Sequence, residues 1–327
     1  MSLLVTGGCG FIGSHFINAQ KDTLTEGNRI VNLDAMYYCA RENNVNASIR
    51  SNPLYHFVKG SVCNKDLVAN ILRVHNVTRI VHFAAQSHVQ NSFTDSLQFT
   101  QDNVLGTHNL LECCREYGQI KLFVHVSTDE VYGETGSEMR TEQSLLCPTN
   151  PYAATKAGAE LIARSYLQSF GIPVIITRGN NVYGRNQYPE KLIPRFIELL
   201  RKDKKLTIHG DGKAVRAFLH VDDTVRAFQA IVNKGQIGET YNIGCDDGME
   251  YTVLQVGKML VKLIKGNESK IEDWIETVED RPFNDQRYLI SNSKLKALGW
   301  SPTITFEDGL RALCTDASSL VSQCETS

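Results

Sequence analysis

The sequence has no block of basic residues, no long apolar run and no Cys-x-x-Cys pair, and each absence excludes a class of protein. The formal net charge is −2, so neither nucleic acid nor an anionic membrane is an expected partner. No apolar run approaches the ~20 residues that span a bilayer, and no signal-peptide core opens the chain. The nine cysteines are unpaired in sequence, which argues against a metal site and for free thiols in a reducing compartment. We therefore expect a soluble, cytoplasmic, globular protein.

What is present is a regular alternation of strand-like and helix-like segments. Strands are predicted at 2–6, 29–33, 55–59, 79–83, 122–126 and 173–177, with helices at 11–20, 64–74, 99–117 and 151–170. Strands that alternate with helices form a parallel sheet covered on both faces. The sequence therefore predicts an α/β fold with a doubly wound parallel (Rossmann) sheet.

After Asn181 the pattern becomes shorter and more irregular. Helices are predicted at 192–201, 253–265, 294–298 and 306–317, and the segment 218–244, with a helix and a strand, is suited to return to the large sheet. The 327 residues suffice for two unequal lobes. We expect a dinucleotide-binding domain over 1–188, joined by 218–244, and a smaller α/β substrate-binding lobe over 189–327.

A glycine turn follows the first strand. Gly7, Gly10 and Gly13 precede the first helix, and Asp34 ends the second strand. Glycines let the backbone approach a pyrophosphate at the helix N-terminus, and an acidic residue ~20 positions later contacts the ribose diol. A carboxylate there repels a 2′-phosphate, which favours NAD over NADP. The alternative is a tight turn with a surface aspartate.

A second polar cluster lies between Ser127 and Lys156. Thr128, Asp129 and Glu130 follow a buried strand, and Tyr152 and Lys156 are four residues apart on one helix face. A Lys ammonium and a nicotinamide cation both favour a phenolate, which predicts proton and hydride chemistry. The alternatives are an ordinary helix face and a solvated acidic pair that caps a turn.

These residues belong to motifs that resemble the nucleotide-sugar 4,6-dehydratases of the extended short-chain dehydrogenase/reductase family. The motifs are the glycine turn, STDEVYG (127–133), NPYAATK (150–156) and NNVYGRNQYPEKLIP (180–194). The run SLLCPTNPYAATKAGAE (144–160) is most similar to the UDP-sugar 4,6-dehydratases of large DNA viruses. The resemblance covers nearly the whole chain, and for a viral enzyme it implies the host cytoplasm.

The resemblance implies a redox-neutral elimination. Tyr152, supported by Lys156, would take the proton of the sugar 4-hydroxyl while hydride leaves carbon 4 for a tightly bound NAD. Thr128 would hydrogen-bond the 4-oxygen. Glu130 would remove the hydrogen at carbon 5, and a protonated Asp129 would donate to the departing 6-hydroxyl. Hydride then returns to carbon 6.

The resemblance also implies binding residues. Cofactor contacts are expected from Gly7, Gly10, Phe11, Ile12, Gly13, Asp34, Asn44, Ser61, Val62, Ala84, Ala85, Gln86, Tyr152, Lys156 and Asn180. Substrate contacts are expected from Ser87, His88, Gln90, Asn181, Glu190, Lys191, Leu192, Ile208, His209, Arg216, Asn242, Arg281 and Asn284. Ile208 and His209 would pack against the base, while Arg216, Asn242 and Arg281 would hold the diphosphate. Taken singly, each arginine is as compatible with a surface ion pair, and a lone histidine with a structural role.

Three departures from the family pattern bear on specificity. Ser61 and Gln90 stand where the family usually has aspartates, and Asn284 stands where bacterial members often have histidine. A neutral amide at Gln90 is suited to pair with a 2-acetamido group. This predicts UDP-N-acetylglucosamine as the substrate, with UDP-glucose or dTDP-glucose as the alternatives. Epimerisation at carbon 5 is a subsidiary hypothesis.

Other functional classes remain open. A nucleotide-sugar 4-epimerase would use Tyr152, Lys156 and NAD without needing Asp129 and Glu130, and a non-catalytic NAD-binding module would need none of the four intact. Family members often form homodimers through a four-helix bundle. The helices after Phe99 and Pro151 are suited to that contact, although their apolar faces are equally suited to the core.

Overall fold

The computed structural model describes residues 2–246, 248–266, 270–279 and 287–315. Its strands are β1 Ser2–Thr6, β2 Arg29–Asp34, β3 Tyr55–Lys59, β4 Val77–His82, β5 Leu122–Thr128, β6 Val174–Gly179, β7 Asn181–Tyr183, β8 Leu206–His209, β9 Val215–His220, β10 Thr240–Ile243, β11 Glu250–Thr252 and β12 Ile275–Val278. The largest sheet formed by the described residues has the order β10-β6-β5-β4-β1-β2-β3. Each neighbouring pair in it is parallel.

Helices connect these strands. They are α1 Phe11–Asn18, α2 Ala47–Arg50, α3 Lys65–Val74, α4 Val89–Thr94, α5 Ser96–Phe99, α6 Gly106–Tyr117, α7 Pro151–Phe170, α8 Leu192–Arg201, α9 Val221–Lys234, α10 Val253–Lys265, α11 Ser293–Lys296 and α12 Phe306–Thr315. No helix in the described ranges has the length and apolar character needed to cross a membrane.

Both faces of the large sheet are covered by apolar side chains. Leu3 and Val5 of β1 belong to a core that includes Phe16 of α1 and Phe228 of α9. Leu4, between them in sequence, belongs to a second core with residues of α3, α6 and α7. Alternate residues of a strand point to opposite faces, so the sheet is doubly wound and the predicted fold class is confirmed.

The shorter carboxyl-terminal elements form a separate apolar cluster. β7, β9 and β11 make one small sheet, and β8 pairs with β12. Helices α8, α10 and α12 pack around Phe196, Leu260 and Phe306. The segment α9–β10 lies against the large sheet, where β10 pairs with β6. The domain boundary itself stays a prediction.

One predicted helix differs from expectation. The segment 99–117 contains a π-helical stretch, Thr100–Leu105, between α5 and α6. Asn103 in this stretch accepts a bond from Gln86 N at 2.7 Å and donates to Thr155 Oγ1 at 2.9 Å. The wider π-helical turn thus places the buried amide of Asn103 between α7 and the loop that follows β4. Apolar periodicity alone does not predict such a feature.

Candidate active site

The carboxyl ends of β1, β2, β4, β5 and β6 border one large cavity. Its volume is about 570 Å³, within the range of ~300–1,000 Å³ that ligand sites occupy. The glycine turn after β1 lines one end, and residues from α8, β8 and β9 line the other. Open parallel sheets bind ligands at the carboxyl ends of their strands, so this cavity is the candidate active site.

The glycine turn makes a close backbone approach that a side chain would block. Gly7 has a φ of 70°, and a Cβ there would lie 2.7 Å from Ala84 N. A Cβ on Gly13 would lie 2.3 Å from the carbonyl oxygen of Gly7. The turn and the first residues of α1 line the cavity at Gly7, Gly10, Phe11, Ile12 and Gly13. This cradle fits the pyrophosphate of a dinucleotide at a helix N-terminus.

Asp34 is held in a fixed orientation at the same end of the cavity. Its Oδ2 accepts a hydrogen bond from Cys9 N at 2.9 Å, and its Oδ1 accepts one from Met36 N at 2.8 Å. Burial raises the pKa of Asp34, and these two bonds oppose the rise. The carboxylate therefore lines the cavity in a position suited to the predicted ribose contact.

Most of the other predicted cofactor residues also line the cavity. They are Ser61, Val62, Ala84, Ala85, Tyr152, Lys156 and Asn180. Asn44 and Gln86 are not among the residues that line the cavity, and their predicted cofactor contacts stay predictions. Asn44 Nδ2 donates to Cys9 O at 2.9 Å, so Asn44 supports the glycine turn. Gln86 Nε2 donates to Asp102 at 2.9 Å and is thereby directed to the π-helical stretch.

The two adjacent carboxyl groups occupy different environments. Thr128 ends β5, and Asp129 opens a 3₁₀ turn, Asp129–Tyr132. Asp129 is 3% exposed, and burial together with the negative charge of Glu130 raises its pKa to about 7. Its Oδ1 accepts from Thr128 Oγ1 at 3.1 Å. Glu130 lines the cavity, where its Oε2 accepts from Asn150 Nδ2 at 2.9 Å. Such a difference suits one acid and one base.

Tyr152 and Lys156 both reach the cavity from one face of α7. Lys156 Nζ donates to Val126 O at 2.6 Å, and burial lowers the pKa of Lys156 to about 8, with Glu160 opposing. Burial and the charge of Glu130 raise the pKa of Tyr152, while a hydrogen bond with Thr128 opposes the rise. The protein's own groups therefore do not give the low phenol pKa that the sequence suggested.

Most of the predicted substrate residues also line the cavity. Those that line it are Ser87, His88, Gln90, Asn181, Glu190, Lys191, Leu192, His209 and Arg216. Ile208 and Asn242 do not line it, and their predicted substrate contacts stay predictions. Ile208 packs in the apolar cluster of the carboxyl-terminal elements. Asn242 is fully buried, and its Oδ1 accepts from Tyr132 Oη at 2.8 Å. Arg281 and Asn284 lie outside the described residues.

Comparison with known proteins identifies the family. Residues 4–313 match the family model described as GDP-mannose 4,6 dehydratase. The chain belongs to this family. The predicted family is thereby confirmed, and the likeness to viral enzymes stays a prediction.

This dehydratase family member is similar over most of its length to multifunctional plant enzymes. It is 49% identical over 314 residues to a trifunctional UDP-glucose 4,6-dehydratase/UDP-4-keto-6-deoxy-D-glucose 3,5-epimerase/UDP-4-keto-L-rhamnose-reductase of Arabidopsis thaliana, covering 95% of this chain and 46% of the plant protein. The chain thus spans about half the length of the plant relatives it matches. The predicted enzyme class, a 4,6-dehydratase, is one of the activities named for this plant relative.

Solved structures of nucleotide-sugar enzymes share the fold of this chain. A dTDP-glucose 4,6-dehydratase of Streptomyces venezuelae, crystallised with NAD bound, superposes with a TM-score of 0.89, 40% identity and 95% coverage of both chains. A UDP-glucose 4-epimerase of Thermotoga maritima superposes with a TM-score of 0.85 and 28% identity, covering 95% of this chain and 96% of that one. The predicted cofactor, NAD, is the one bound in the Streptomyces dehydratase.

Sequence reasoning missed several side chains of this dehydratase family member. Asn150 caps α7 by accepting from Ala153 N at 2.8 Å, and it also binds Glu130. An asparagine before a proline-initiated helix is a recognisable cap signal, whereas its bond to Glu130 has none. Tyr38 Oη donates to Glu190 at 3.0 Å across the cavity mouth, a contact between segments distant in sequence that no local pattern predicts.

Proposed function

We propose that this chain is a nucleotide-sugar 4,6-dehydratase that binds NAD and converts a nucleoside diphosphate hexose to its 4-keto-6-deoxy form. The observation that carries the proposal is the pair Asp129 and Glu130. One carboxyl is buried with a pKa of about 7, and the other lines the cavity beside Tyr152. Water elimination needs an acid and a base on one substrate, and each proton transfer contributes roughly 10²–10⁴-fold.

The steps follow from the positions of the side chains. Tyr152 takes the proton of the 4-hydroxyl, with Thr128 bonded to the same oxygen. An NAD held at the glycine turn and Asp34 would supply a hydride acceptor for carbon 4 and, after the elimination, a hydride donor for carbon 6. Glu130 then removes the proton of carbon 5, and Asp129 gives its proton to the 6-hydroxyl, which departs as water. A proton restored to carbon 5 completes a reaction with no net oxidation.

The ionisation of Tyr152 requires a positive charge beyond the protein's own groups. Burial raises the pKa of Tyr152, and Lys156 is neutralised as the pH passes about 8. An oxidised nicotinamide carries the cation that opposes this cost of burial. We therefore infer that Tyr152 becomes an effective base only in the NAD-loaded enzyme.

The sugar donor is best supported as a nucleoside diphosphate glucose, with UDP-glucose first. The support is the 49% identity to a plant protein named as a UDP-glucose 4,6-dehydratase and the 40% identity to a dTDP-glucose 4,6-dehydratase. UDP-N-acetylglucosamine is the second candidate, because Gln90 lines the cavity and an amide is suited to bind an acetamido group. Epimerisation at carbon 5 would follow from the same deprotonation, and proton coupling constants of the product test it.

Turnover in heavy water tests the reaction. Purified enzyme is incubated with UDP-glucose, dTDP-glucose or UDP-N-acetylglucosamine, and the product is analysed by mass spectrometry and proton NMR. Dehydration removes the mass of one water and leaves one solvent deuteron at carbon 5. An unchanged sugar mass would mean a 4-epimerase, and NAD binding without any product would mean a non-catalytic module. Faster turnover of UDP-N-acetylglucosamine than of both glucose donors would reverse the substrate order.

The double variant Asp129→Asn with Glu130→Gln is the matched control for that experiment. It keeps the shape of both side chains and removes both proton-transfer groups. We expect it to bind NAD and to form no dehydrated product. Full turnover by this variant would refute the assignment of the two carboxyls.

We propose, in addition, that two copies of the chain associate through α7 and the π-helical stretch. Leu97 of the adjoining α5, Leu105 of the π-helical stretch and Leu161 of α7 are 81%, 54% and 57% exposed, and a second copy would bury them in a four-helix bundle. Sedimentation of Leu161→Glu tests this, with a monomer expected. A variant that sediments like the unaltered protein would refute the proposal.

A further inference from the structure

Asn180 follows β6 and contacts the buried carboxyl group of Asp129. Its Nδ2 donates to Asp129 Oδ2 at 2.7 Å. Asn180 is 6% exposed and Asp129 is 3% exposed, so water competes little for this bond. A hydrogen bond to an ionised acceptor is stronger than one between neutral groups, and the contact is made in a region of low dielectric constant.

The orientation of the Asn180 amide is fixed by the main chain. Its Oδ1 accepts a hydrogen bond from Cys245 N at 3.0 Å. A backbone N–H can only donate, so the amide oxygen must face Cys245 and the NH₂ group must face Asp129. Gly244 permits this close approach, because a Cβ there would lie 3.1 Å from Ile290 O and 3.4 Å from Asn180 Oδ1. The loop after β10 thus determines which group Asn180 presents.

We propose that Asn180 is a positioning residue that stabilises the ionised form of Asp129 and so sets the pH range over which Asp129 donates its proton. The inference rests on the proposed role of Asp129 as the acid of the elimination. An NH₂ donor is complementary to the carboxylate that remains after donation, and it is less complementary to the protonated acid. Asn180 therefore favours release of the proton to the departing hydroxyl.

Other charged and titratable groups around Asp129 act on the same equilibrium. Glu130, on the same turn, disfavours ionisation of Asp129, and Arg216 of β9 favours it. In the NAD-free protein, Tyr152 of α7 and Cys245 after β10 are neutral at pH 7, since the pKa of each is raised. Burial and Glu130 raise the pKa of Asp129 while Asn180 and Thr128 lower it, and the resulting pKa is about 7. An acid with a pKa near the working pH transfers protons most effectively.

Infrared titration of the NAD-loaded enzyme measures the proton on Asp129 directly. The stretching band of the protonated carboxyl is followed against pH, and subtraction of the Asp129→Asn spectrum assigns it. In Asn180→Ala the midpoint is expected to rise by about one pH unit, because a donor to the carboxylate is lost. The midpoint of the alkaline fall in kcat for dehydration is expected to move to higher pH by the same amount. A merely structural role would lower kcat without moving either midpoint.

Asn180→Asp separates the two bonds that Asn180 makes. The new side chain has the same shape and keeps an oxygen for Cys245 N, but it presents a second oxygen to Asp129. The Asp129 midpoint is expected to rise at least as far as in Asn180→Ala. Lys65→Met, on the protein surface where Lys65 pairs with Glu116, is expected to leave the infrared midpoint unchanged.

The outcomes distinguish this inference from the proposed function. A midpoint that stays within about 0.3 units of the unaltered enzyme in both Asn180 variants overturns the inference, since about 0.4 kcal/mol is then the largest effect. If Asn180→Ala does not fold, the shift in Asn180→Asp decides. A shifted infrared midpoint in an enzyme that produces no dehydrated sugar supports the control of Asp129 by Asn180 and refutes the proposed function. Dehydration with unshifted midpoints refutes the inference alone.

Discussion

Lys156 Nζ lies 2.6 Å from the carbonyl oxygen of Val126, and this contact joins α7 to the end of β5 beneath the reacting groups. The side chain of Lys156 is 5% exposed, so the ammonium is held where its charge is costly. Burial lowers the pKa of Lys156 from its ordinary 10.5 to about 8. The folded protein therefore binds this proton more weakly than the unfolded chain does. The buried ammonium thus lowers the free energy of unfolding at neutral pH.

Lys156→Met is expected to stabilise the NAD-free protein at pH 7 and to lower turnover by at least roughly 100-fold, because it removes both the buried charge and the support for Tyr152. We expect a gain of about 1 kcal/mol in the free energy of unfolding, after the lost hydrogen bond is subtracted. Urea unfolding at pH 7 and steady-state turnover measure the two effects. Lys65→Met is the control, since Lys65 lies on the surface and pairs with Glu116.

The same variant predicts a pH dependence with a definite sign. Between about 8 and 10.5 the unfolded chain carries the Lys156 proton and the folded protein does not. Stability rises with pH where the unfolded state binds more protons. The free energy of unfolding of the unaltered protein should therefore rise relative to that of Lys156→Met as the pH increases through this range. Below pH 8 the difference should be constant. A stability difference that is equal at pH 7 and pH 10 contradicts the prediction.

Asn150 makes two contacts that two variants can separate, namely the cap of α7 and the hydrogen bond to Glu130. Asn150→Ala removes the cap of α7 and the donor to Glu130, so we expect a loss of about 1 kcal/mol in stability together with lower turnover. Asn150→Asp keeps a good helix cap but places a carboxylate against Glu130. It should keep its stability within about 0.5 kcal/mol and still lose at least roughly 10-fold in kcat. Thermal unfolding and kcat measure both, and equal kcat in Asn150→Asp and the unaltered enzyme would contradict the role of the amide.

The sequence was sufficient for the features that depend on local pattern. The alternation of apolar runs predicted the strands and helices of the large sheet, and α7, α8, α10 and β10 begin and end as predicted. Pro151 marked the start of α7, and glycines marked the turn before α1. These features follow from propensity and periodicity within a few residues, so no distant contact was needed to recognise them.

Features that depend on distant contacts were not predictable. Arg178 of β6 pairs with Glu160 of α7 in the core, and its guanidinium also donates to Tyr132, the last residue of the 3₁₀ turn Asp129–Tyr132. Each residue alone reads as a surface charge, and the pairing arises only when the helix packs on the sheet. The burial of Asn242 and its hydrogen bond with Tyr132 were not predictable for the same reason, because they depend on where β10 pairs.

Gly13 and Gly10 are expected to respond differently to a methyl group. A Cβ on Gly13 would lie 2.3 Å from Gly7 O, whereas a Cβ on Gly10 would lie 3.3 Å from the same atom. Gly13→Ala must therefore displace the backbone of the turn, and we expect a loss of about 1–3 kcal/mol in stability and of NAD. Gly10→Ala should lose less than about 1 kcal/mol in the NAD-free protein. Thermal unfolding and the NAD content after gel filtration measure the two effects, and equal destabilisation by the two variants would contradict the geometry.

Asp34→Asn is expected to weaken the discrimination between NAD and NADP by at least roughly 10-fold, because it removes the charge that repels a 2′-phosphate. One of the two atoms that now accept from Cys9 N and Met36 N would become an NH₂ group facing a donor, so the affinity for NAD itself should also fall. Isothermal titration with each cofactor gives the ratio of dissociation constants. Since burial raises the pKa of Asp34, the preference for NAD in the unaltered protein should already weaken on acidification, and the contribution of Asp34 to this pH dependence should be absent in Asp34→Asn. A ratio that the substitution leaves unchanged would show that Asp34 supports the glycine turn without selecting the cofactor.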